Sequence, residues 1–384
     1  MRDKPYCNAP WLGLAYESTQ GCQPCCEWKH DTFQGTYEEY IKSDYLKKFK
    51  SFMYRDETHP GCIECIHNEK VLGISRSRRK YYEQWDNKVD YEAPGLDRIV
   101  RLDYRAGNKC NMMCRMCGPQ SSSLLEEEEV SNGHITEHIH HLDTSDVYDL
   151  DLSHCVEISI LGGEPSIDLK VRKFMNYVAD NYPNIEVIVT TNGTNASDKW
   201  FKTLLRFCTG PGLRIILSVD ATGPTQEFQR KSSIKWNTVK KNLLKYKEIS
   251  NNDEYNCGVS LQCTATAINM VTIDKWWDEL ISLEIQTDLN QVWSPQGMSI
   301  EAIPDEYKDQ SIKFIKDWLQ QFTEPCDYAT KYKIQAGKQA IKILTNSVYS
   351  KEMHNEFIIR QNRYDGFRNE NVRDLDERFK VMMI

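Results

Sequence analysis

From about residue 97 the chain alternates short runs of β-branched and apolar residues with longer amphipathic stretches. Ile99–Tyr104, Val156–Leu161, Ile185–Thr191, Leu213–Val219, Gly258–Ala265 and Asp288–Trp293 have the composition and period of strands. Between them, Leu169–Asn181, Ala196–Cys208, Asn237–Ser250 and Ile273–Leu283 place apolar residues at helical spacing. Strands that alternate with helices pair in parallel through right-handed crossovers, so the pattern predicts an α/β fold, either doubly wound or curled toward a barrel. Six strands fall short of a closed eight-stranded barrel. After residue 300 the pattern is helical, with Ile312, Ile315, Trp318, Leu319 and Phe322 on one face, and these helices are expected to pack on the α/β part. Residues 1–92 differ: few long apolar runs, aromatic-rich polar stretches and six cysteines suit a small domain organised around a metal site. The expected division is therefore 1–92, 93–300 and 301–384.

Composition narrows the class. With 40% hydrophobic and 11% aromatic residues in 384, a sizeable core can be filled, and global disorder is excluded. The net charge of -8 argues against a chain-wide nucleic-acid surface, which needs a basic patch to release counterions. The run Arg76, Arg78, Arg79 and Lys80 reads as a solvated loop, with a local functional patch as the alternative. No stretch nears the ~20 apolar residues of a membrane span, and the start MRDKPYCNAPW lacks a secretory h-region. No membrane partner and a cytoplasmic location are expected. There thiols stay reduced, and clustered cysteines bind metal more often than each other. Gln120–His154 holds nine carboxylates and five of the nine histidines without one lysine or arginine. Glu126–Glu129 reads as a solvated helix face, and His134, His138, His140 and His141 as polar surface.

Nine of the fourteen cysteines precede residue 118, and three of them form Cys110-Asn-Met-Met-Cys114-Arg-Met-Cys117, directly after the first strand of the α/β part. Three thiolates can hold three irons of a cubane and leave the fourth open. Zinc sites usually close on four ligands, and ferredoxin spacings differ from this one. The string resembles the signature of radical S-adenosylmethionine (SAM) enzymes, in which the open iron is chelated by the amino and carboxylate groups of SAM. At the end of the second strand, Leu161-Gly162-Gly163-Glu164-Pro165 resembles the family's GGEP motif. Its glycines let the backbone approach closely, so that carbonyls and the Glu164 carboxylate meet an ammonium group. Thr191-Asn192-Gly193 ends the third strand and Ser218-Val219-Asp220 the fourth, with Arg230 ten residues on. The resemblance implies that Ser218 contacts the SAM ribose and Arg230 its carboxylate, with Asn192 a further contact; a guanidinium fork suits a carboxylate. Thr264 and Asn269 are weaker candidates. Where many members have an aromatic residue before the third cysteine, this chain has Met116, whose thioether can fill the space over the adenine. The resemblance covers about residues 97–295 and implies a partial (β/α)6 barrel of TIM type with its site at the C-terminal mouth.

The N-terminal phrases Cys7-Asn-Ala-Pro-Trp11, Gly21-Cys-Gln-Pro-Cys25-Cys26-Glu-Trp28 and Cys62-Ile-Glu-Cys65, followed by Glu69, Gly73 and Ser75, resemble the twitch or SPASM-type extensions of the same superfamily, here placed before the barrel. Such extensions bind auxiliary 4Fe-4S clusters. Position 71 is Val71 and no cysteine occurs between Cys65 and Cys110, so one auxiliary cluster is expected. Cys7, Cys62 and Cys65 leave one place. Spacing from Gly21 favours Cys26, the preceding proline favours Cys25, and Cys22 ranks below both. A structural zinc ribbon is the rival reading of these thiols. Cys155, Cys208, Cys257, Cys263 and Cys326 read as core.

The resemblance implies reductive cleavage of SAM to methionine and a 5'-deoxyadenosyl radical, which removes a hydrogen from a substrate. The cofactors would be SAM, one 4Fe-4S cluster on Cys110, Cys114 and Cys117, and one auxiliary 4Fe-4S cluster. A peptide or protein side chain is the expected substrate, modified by crosslinking, oxidation or epimerisation, with flavodoxin or ferredoxin as electron donor. One alternative keeps the chemistry and takes a small molecule or nucleotide. Another, from a different class, is a zinc-binding adaptor or nucleic-acid protein in which both cysteine groups are structural. Asp103, Tyr104 and Asp220 lie near strand ends and read as structural; no acid, base or hydrogen donor is assigned.

Overall fold

The computed structural model describes residues 4–57, 59–72, 78, 83–86, 89–93, 96–292, 294–322 and 326–384. Gly73, Ser75, Arg76, Arg79, Lys80 and Trp293 lie outside the described residues. Among the described residues ten strands follow in chain order: β1 (Gly13–Glu17), β2 (Gly21–Gln23), β3 (Arg101–Arg105), β4 (Met113–Cys114), β5 (Glu157–Ile160), β6 (Glu186–Thr191), β7 (Leu213–Ser218), β8 (Arg230–Lys231), β9 (Cys257–Ala265) and β10 (Gln286–Gln291). The six strands read from the sequence coincide with β3, β5, β6, β7, β9 and β10 to within a few residues. The chain forms two compact units, interleaved in sequence: residues 1–108, 139–189 and 202–213, and residues 109–138, 190–201 and 214–384.

In the first unit the strand order is β2-β1-β3-β5-β6, with β6 included as far as Val189. β1 and β3, β3 and β5, and β5 and β6 pair in parallel, while β2 returns antiparallel along β1. An N-terminal strand thus joins the sheet beside β3, which the cysteine-rich composition of residues 1–92 did not suggest. Alternation puts Leu14 and Tyr16, Leu102 and Tyr104, Ile158 and Ile160, and Val187 and Val189 on one face, all 2% exposed or less. Helix Leu169–Asn181 covers that face. Asp168 starts it by accepting from the Lys170 amide at 2.8 Å, and Phe174 meets Tyr104 with ring centroids 4.6 Å apart. Burying a ring such as Phe174 contributes about 1.5–3 kcal/mol. A second core collects Trp11, Trp28, Phe49, Met53 and Trp85 with Ala9, Leu12 and Val100. Trp28 lies so close to Gly61 that a Cβ there would fall 2.4 Å from its ring.

In the second unit the order is β7-β9-β10, with β9 and β10 parallel. Helix Trp236–Ser250 is tied inward where the Trp200 indole donates to the Tyr246 hydroxyl at 2.9 Å. Helices Asp305–Leu319, Tyr328–Asn346 and Lys351–Arg368 follow. Trp318 meets Trp277 edge to face at 5.5 Å, and Gln339 accepts from the Leu289 amide of β10 at 3.2 Å. Among the described residues no helix is long and apolar enough to cross a membrane.

Candidate functional site

The three cysteines of the CxxxCxxC string lie in the second unit, on a loop held from several sides. Its middle forms β4, which pairs antiparallel with β8 so that Cys114 stands opposite Arg230. The Cys110 amide donates to Ser123 Oγ at 3.2 Å, the Cys117 amide to the Cys114 carbonyl at 3.0 Å, and the Arg115 amide to the Gln229 carbonyl at 2.8 Å. Asn111 Nδ2 donates to Thr194 Oγ1, and its Oδ1 accepts from Asn192 Nδ2, both at 2.9 Å. Asn192, expected to face the cofactor, therefore spends an amide N–H on the cysteine loop. Cys114 is buried, and Cys110 and Cys117 are partly so. Burial pushes the Cys114 thiol well up, Arg230 pulls it back down, and Cys117 and Cys110 add to the rise because all three sulfurs share one neighbourhood. Among the described residues no three His, Cys, Asp or Glu side chains converge on one point as a single ion requires.

Arg230 is fixed by Asp220, which is 0% exposed. Nε and Nη2 lie 2.5 and 3.0 Å from the two carboxylate oxygens, a bidentate fork. Asp220 is fixed in turn: Oδ1 accepts from the Thr264 amide at 2.9 Å, and its carbonyl accepts from Asn269 Nδ2 at 2.8 Å. Burial acts to lower the Arg230 pKa, but Asp220 and then Cys114 and Cys117 outweigh it, so the guanidinium stays charged beside the thiols. The carboxylate on its fork in this structure is the protein's own. Asn269 is a fully buried bridge between Asp220 and Thr264. Ser218 ends β7, partly buried, and Met116 is partly exposed beside Cys117.

Gly162 and Gly163 belong to the first unit and both have left-handed backbone, with φ of 79° and 52°. A Cβ at Gly162 would lie 2.7 Å from Arg105 Cβ, which explains the glycine by close approach. Glu164 is 1% exposed, and its Oε1 accepts from the Ser166 amide at 3.0 Å.

The N-terminal cysteines separate. Burial raises the Cys7 and Cys62 thiols to about 12, with Cys65 adding to both and Cys7 also adding to Cys62. Burial likewise lifts Cys25, followed by Cys26, Cys7 and Cys65. Cys7, Cys25 and Cys62 pack against the same tryptophan core. Cys26, after burial, feels Asp103, Arg101, Glu27 and Arg105, and Arg101 Nη2 donates to its sulfur at 3.7 Å. Cys22 is buried in β2, its sulfur 4.0 Å from the Gly35 carbonyl. Cys7, Cys62 and Cys65 thus act on one another, Cys25 feels Cys26 first and then Cys7 and Cys65, and Cys22 does not enter their company. Arg78, the described member of the basic run, pairs with Glu69 and lies over the Tyr6 ring at 4.6 Å.

Sequence reasoning passed over Arg115 and Arg360. Arg115 is 0% exposed; Nη1 donates to Gln361 at 2.9 Å, while Nη2 reaches Glu370 at 2.9 Å and Asp365 at 2.8 Å. Arg360 donates to the Arg115 carbonyl at 2.7 Å and the Cys117 carbonyl at 2.9 Å. The helix Lys351–Arg368 thus grips the cysteine loop. It also corrects the reading of Glu126–Glu129 as a solvated face: Glu126 and Glu129 are buried, Arg368 chelates Glu128 at 2.7 and 2.8 Å, and Tyr364 bonds Glu129 at 2.5 Å. An arginine inside the cysteine string was a visible signal; its partners about 250 residues away were not. The histidines scatter, His138 to Glu126 and His134 to Arg363. Of the five late cysteines, Cys155, Cys208 and Cys263 are buried and Cys257 and Cys326 partly so.

No protein-family model matches the chain, and no curated protein matches it significantly. Among solved structures it is similar to native anSMEcpe with bound AdoMet and Cp18Cys peptide, at 17% identity and a TM-score of 0.39 over 58% of this chain and 60% of that one. It is also similar to Streptococcus suis SuiB bound to precursor peptide SuiA, at 12% identity and 0.38 over 72% and 60%. A third is the radical S-adenosylmethionine methyltransferase TsrM from Kitasatospora setae with cobalamin and a 4Fe-4S cluster bound, at 11% and 0.32 over 53% and 36%. The matched region spans 60% or less of each of those chains. With every TM-score below 0.5, these likenesses transfer no activity, and the functional reading rests on the chain's own residues.

Proposed function

We propose that this protein is a radical SAM enzyme. The observation that carries the reading is the Cys110, Cys114 and Cys117 triad: three thiols in one neighbourhood, an arginine held charged beside them, and a spacing that leaves one corner of a cubane to a non-protein ligand. The donor set fits a 4Fe-4S cluster, whose thiolates each take a separate iron. Bound there with SAM, such a cluster supplies one-electron reductive cleavage and hence hydrogen abstraction from an unactivated carbon. The chain's own part is to hold the loop through Arg115, Arg360 and Asn111, and to offset thiolate charge with Arg230. Gly162, Gly163, Glu164, Asn192, Ser218, Met116 and Arg230 keep their assignment to SAM, with Asp220 holding the Arg230 guanidinium in place.

The second cysteine group is proposed to hold one auxiliary cluster on Cys7, Cys25, Cys62 and Cys65. The reading carries with it the partial (β/α)6 barrel, the twitch-like N-terminal domain, and a peptide or protein substrate with flavodoxin or ferredoxin as electron donor. Iron analysis of anaerobically reconstituted protein tests it. About eight irons per chain are expected from two cubanes; zinc in place of iron would return the chain to the adaptor reading, and about four irons would remove the auxiliary cluster alone.

A further inference from the structure

The sheet face of the first unit opposite the Leu14, Tyr16, Leu102 and Tyr104 face is charged, and three of its carboxylates are buried. Strand alternation places Glu17, Arg101, Asp103, Arg105, Glu157 and Ser159 there, and register aligns Asp103 with Ala15 on one side and Ser159 on the other. Glu17 is 3% exposed, Asp103 and Glu157 2% each, and Ser159 4%. Burying ionised carboxylates costs several kcal/mol apiece unless each is compensated. Compensation is partial here. Arg101 lies 3.2 Å from Asp103 and 3.3 Å from Glu157, and Arg105 lies 3.0 Å from Glu17. Glu186 stands in register beside Glu157 on the same face, so four carboxylates meet two guanidiniums, with Lys29 also acting on Glu17, and negative charge is in excess.

That surplus has a location. Asp103 Oδ1 accepts from Arg101, whereas Oδ2 is buried with no hydrogen-bond partner. Buried carboxylate oxygens in a purely structural network are normally satisfied, because an orphaned acceptor in a low-dielectric interior forfeits its hydration. The side chains flanking Asp103 in its row, Ala15 and Ser159, are among the smallest available, and the Cys26 thiol is a further neighbour of the carboxylate. A metal ion does not suit the place, because one open Asp103 oxygen gives too few ligands.

We propose that this face is a binding site for a cationic nitrogen, a protonated amine or guanidinium of the substrate, received by Asp103 with Glu157 and Glu17 alongside. Arg101 is a positioning residue that aims the Asp103 carboxylate. The site deepens the proposed function by naming a basic substrate group, and rests on that function only in calling the occupant substrate.

The test uses the full chain, purified without air and without added SAM, so its outcome is independent of whether SAM is cleaved. Thermal unfolding is followed while n-butylammonium chloride is titrated, with sodium chloride and sodium butyrate at equal ionic strength as controls. The expected result is a melting temperature raised by butylammonium but not by either control. In Asp103→Asn the half-saturating amine concentration rises about 10- to 100-fold, the worth of one charge-assisted hydrogen bond. Ala15→Val, which narrows the space beside Asp103 without removing a charge, weakens the response and serves if Asp103→Asn does not fold. The absence of an ammonium-specific rise in the wild-type chain overturns the proposal, as does an unchanged rise in Asp103→Asn.

Discussion

Replacing Arg115 by methionine keeps an unbranched apolar stem and deletes the charge that joins the cysteine loop to the helix Lys351–Arg368. The guanidinium lies 3.9 Å over the Phe228 ring as well as on Gln361, Glu370 and Asp365. Removing one partner of a buried ion pair costs about 3–5 kcal/mol, because the other charge is left uncompensated. Here both carboxylates keep something: Glu370 still pairs with Lys231, and Asp365 Oδ2 still accepts from the Val372 amide at 2.8 Å. The lower figure therefore applies, about 3 kcal/mol, or about a 150-fold change in the folded-to-unfolded ratio. With a urea dependence of about 3 kcal/mol per molar, the midpoint falls by about 1 M. Circular dichroism in urea reads the midpoint, and thiol labelling below it reads exposure of Cys110, Cys114 and Cys117. Arg115→Lys keeps the charge without the fork and should fall between the two. A midpoint for Arg115→Met within about 0.2 M of wild type would refute the idea that this buried guanidinium anchors the loop.

Arg360→Met removes two charged hydrogen bonds to loop carbonyls. Iron chelation kinetics should show the catalytic-site cluster lost about tenfold faster, with each bond worth about 1.5 kcal/mol and one partly replaced by water. Cys25→Ser should lower iron by about four per chain, the content of one cubane, while Cys26→Ser leaves it unchanged; the reverse pattern in iron analysis would exchange the two residues. Burial pushes Lys50 down to about 8, against the pull of Asp97 and Asp90. The unfolded chain then holds that proton more tightly, so wild-type stability should rise between pH 8 and 10, with no such rise in Lys50→Met by urea titration.

What could be read from the sequence was local. The strands announce themselves by alternation, and Cys110, Cys114 and Cys117 by a spacing that needs no knowledge of distant residues. Arg101-Leu-Asp-Tyr-Arg105 shows the limit: period two separates two faces, but says nothing of whether the charged face meets water, and in this sheet Asp103 is buried between two half-buried arginines. The choice between Cys25 and Cys26 depends on which way adjacent side chains leave a turn, and spacing counts treat both alike. Arg115 and Glu128 are held by residues of the helix Lys351–Arg368, contacts that only tertiary packing creates.

The central claim is that Cys110, Cys114 and Cys117 together serve SAM cleavage. Anaerobic protein given SAM and dithionite, with products separated by liquid chromatography and mass spectrometry, tests it most directly. Wild-type protein and Cys22→Ser should release 5'-deoxyadenosine, and Cys114→Ala should release none while keeping the iron of the N-terminal group. Release by Cys114→Ala at the wild-type rate, or no release by iron-replete wild-type protein, would contradict the account.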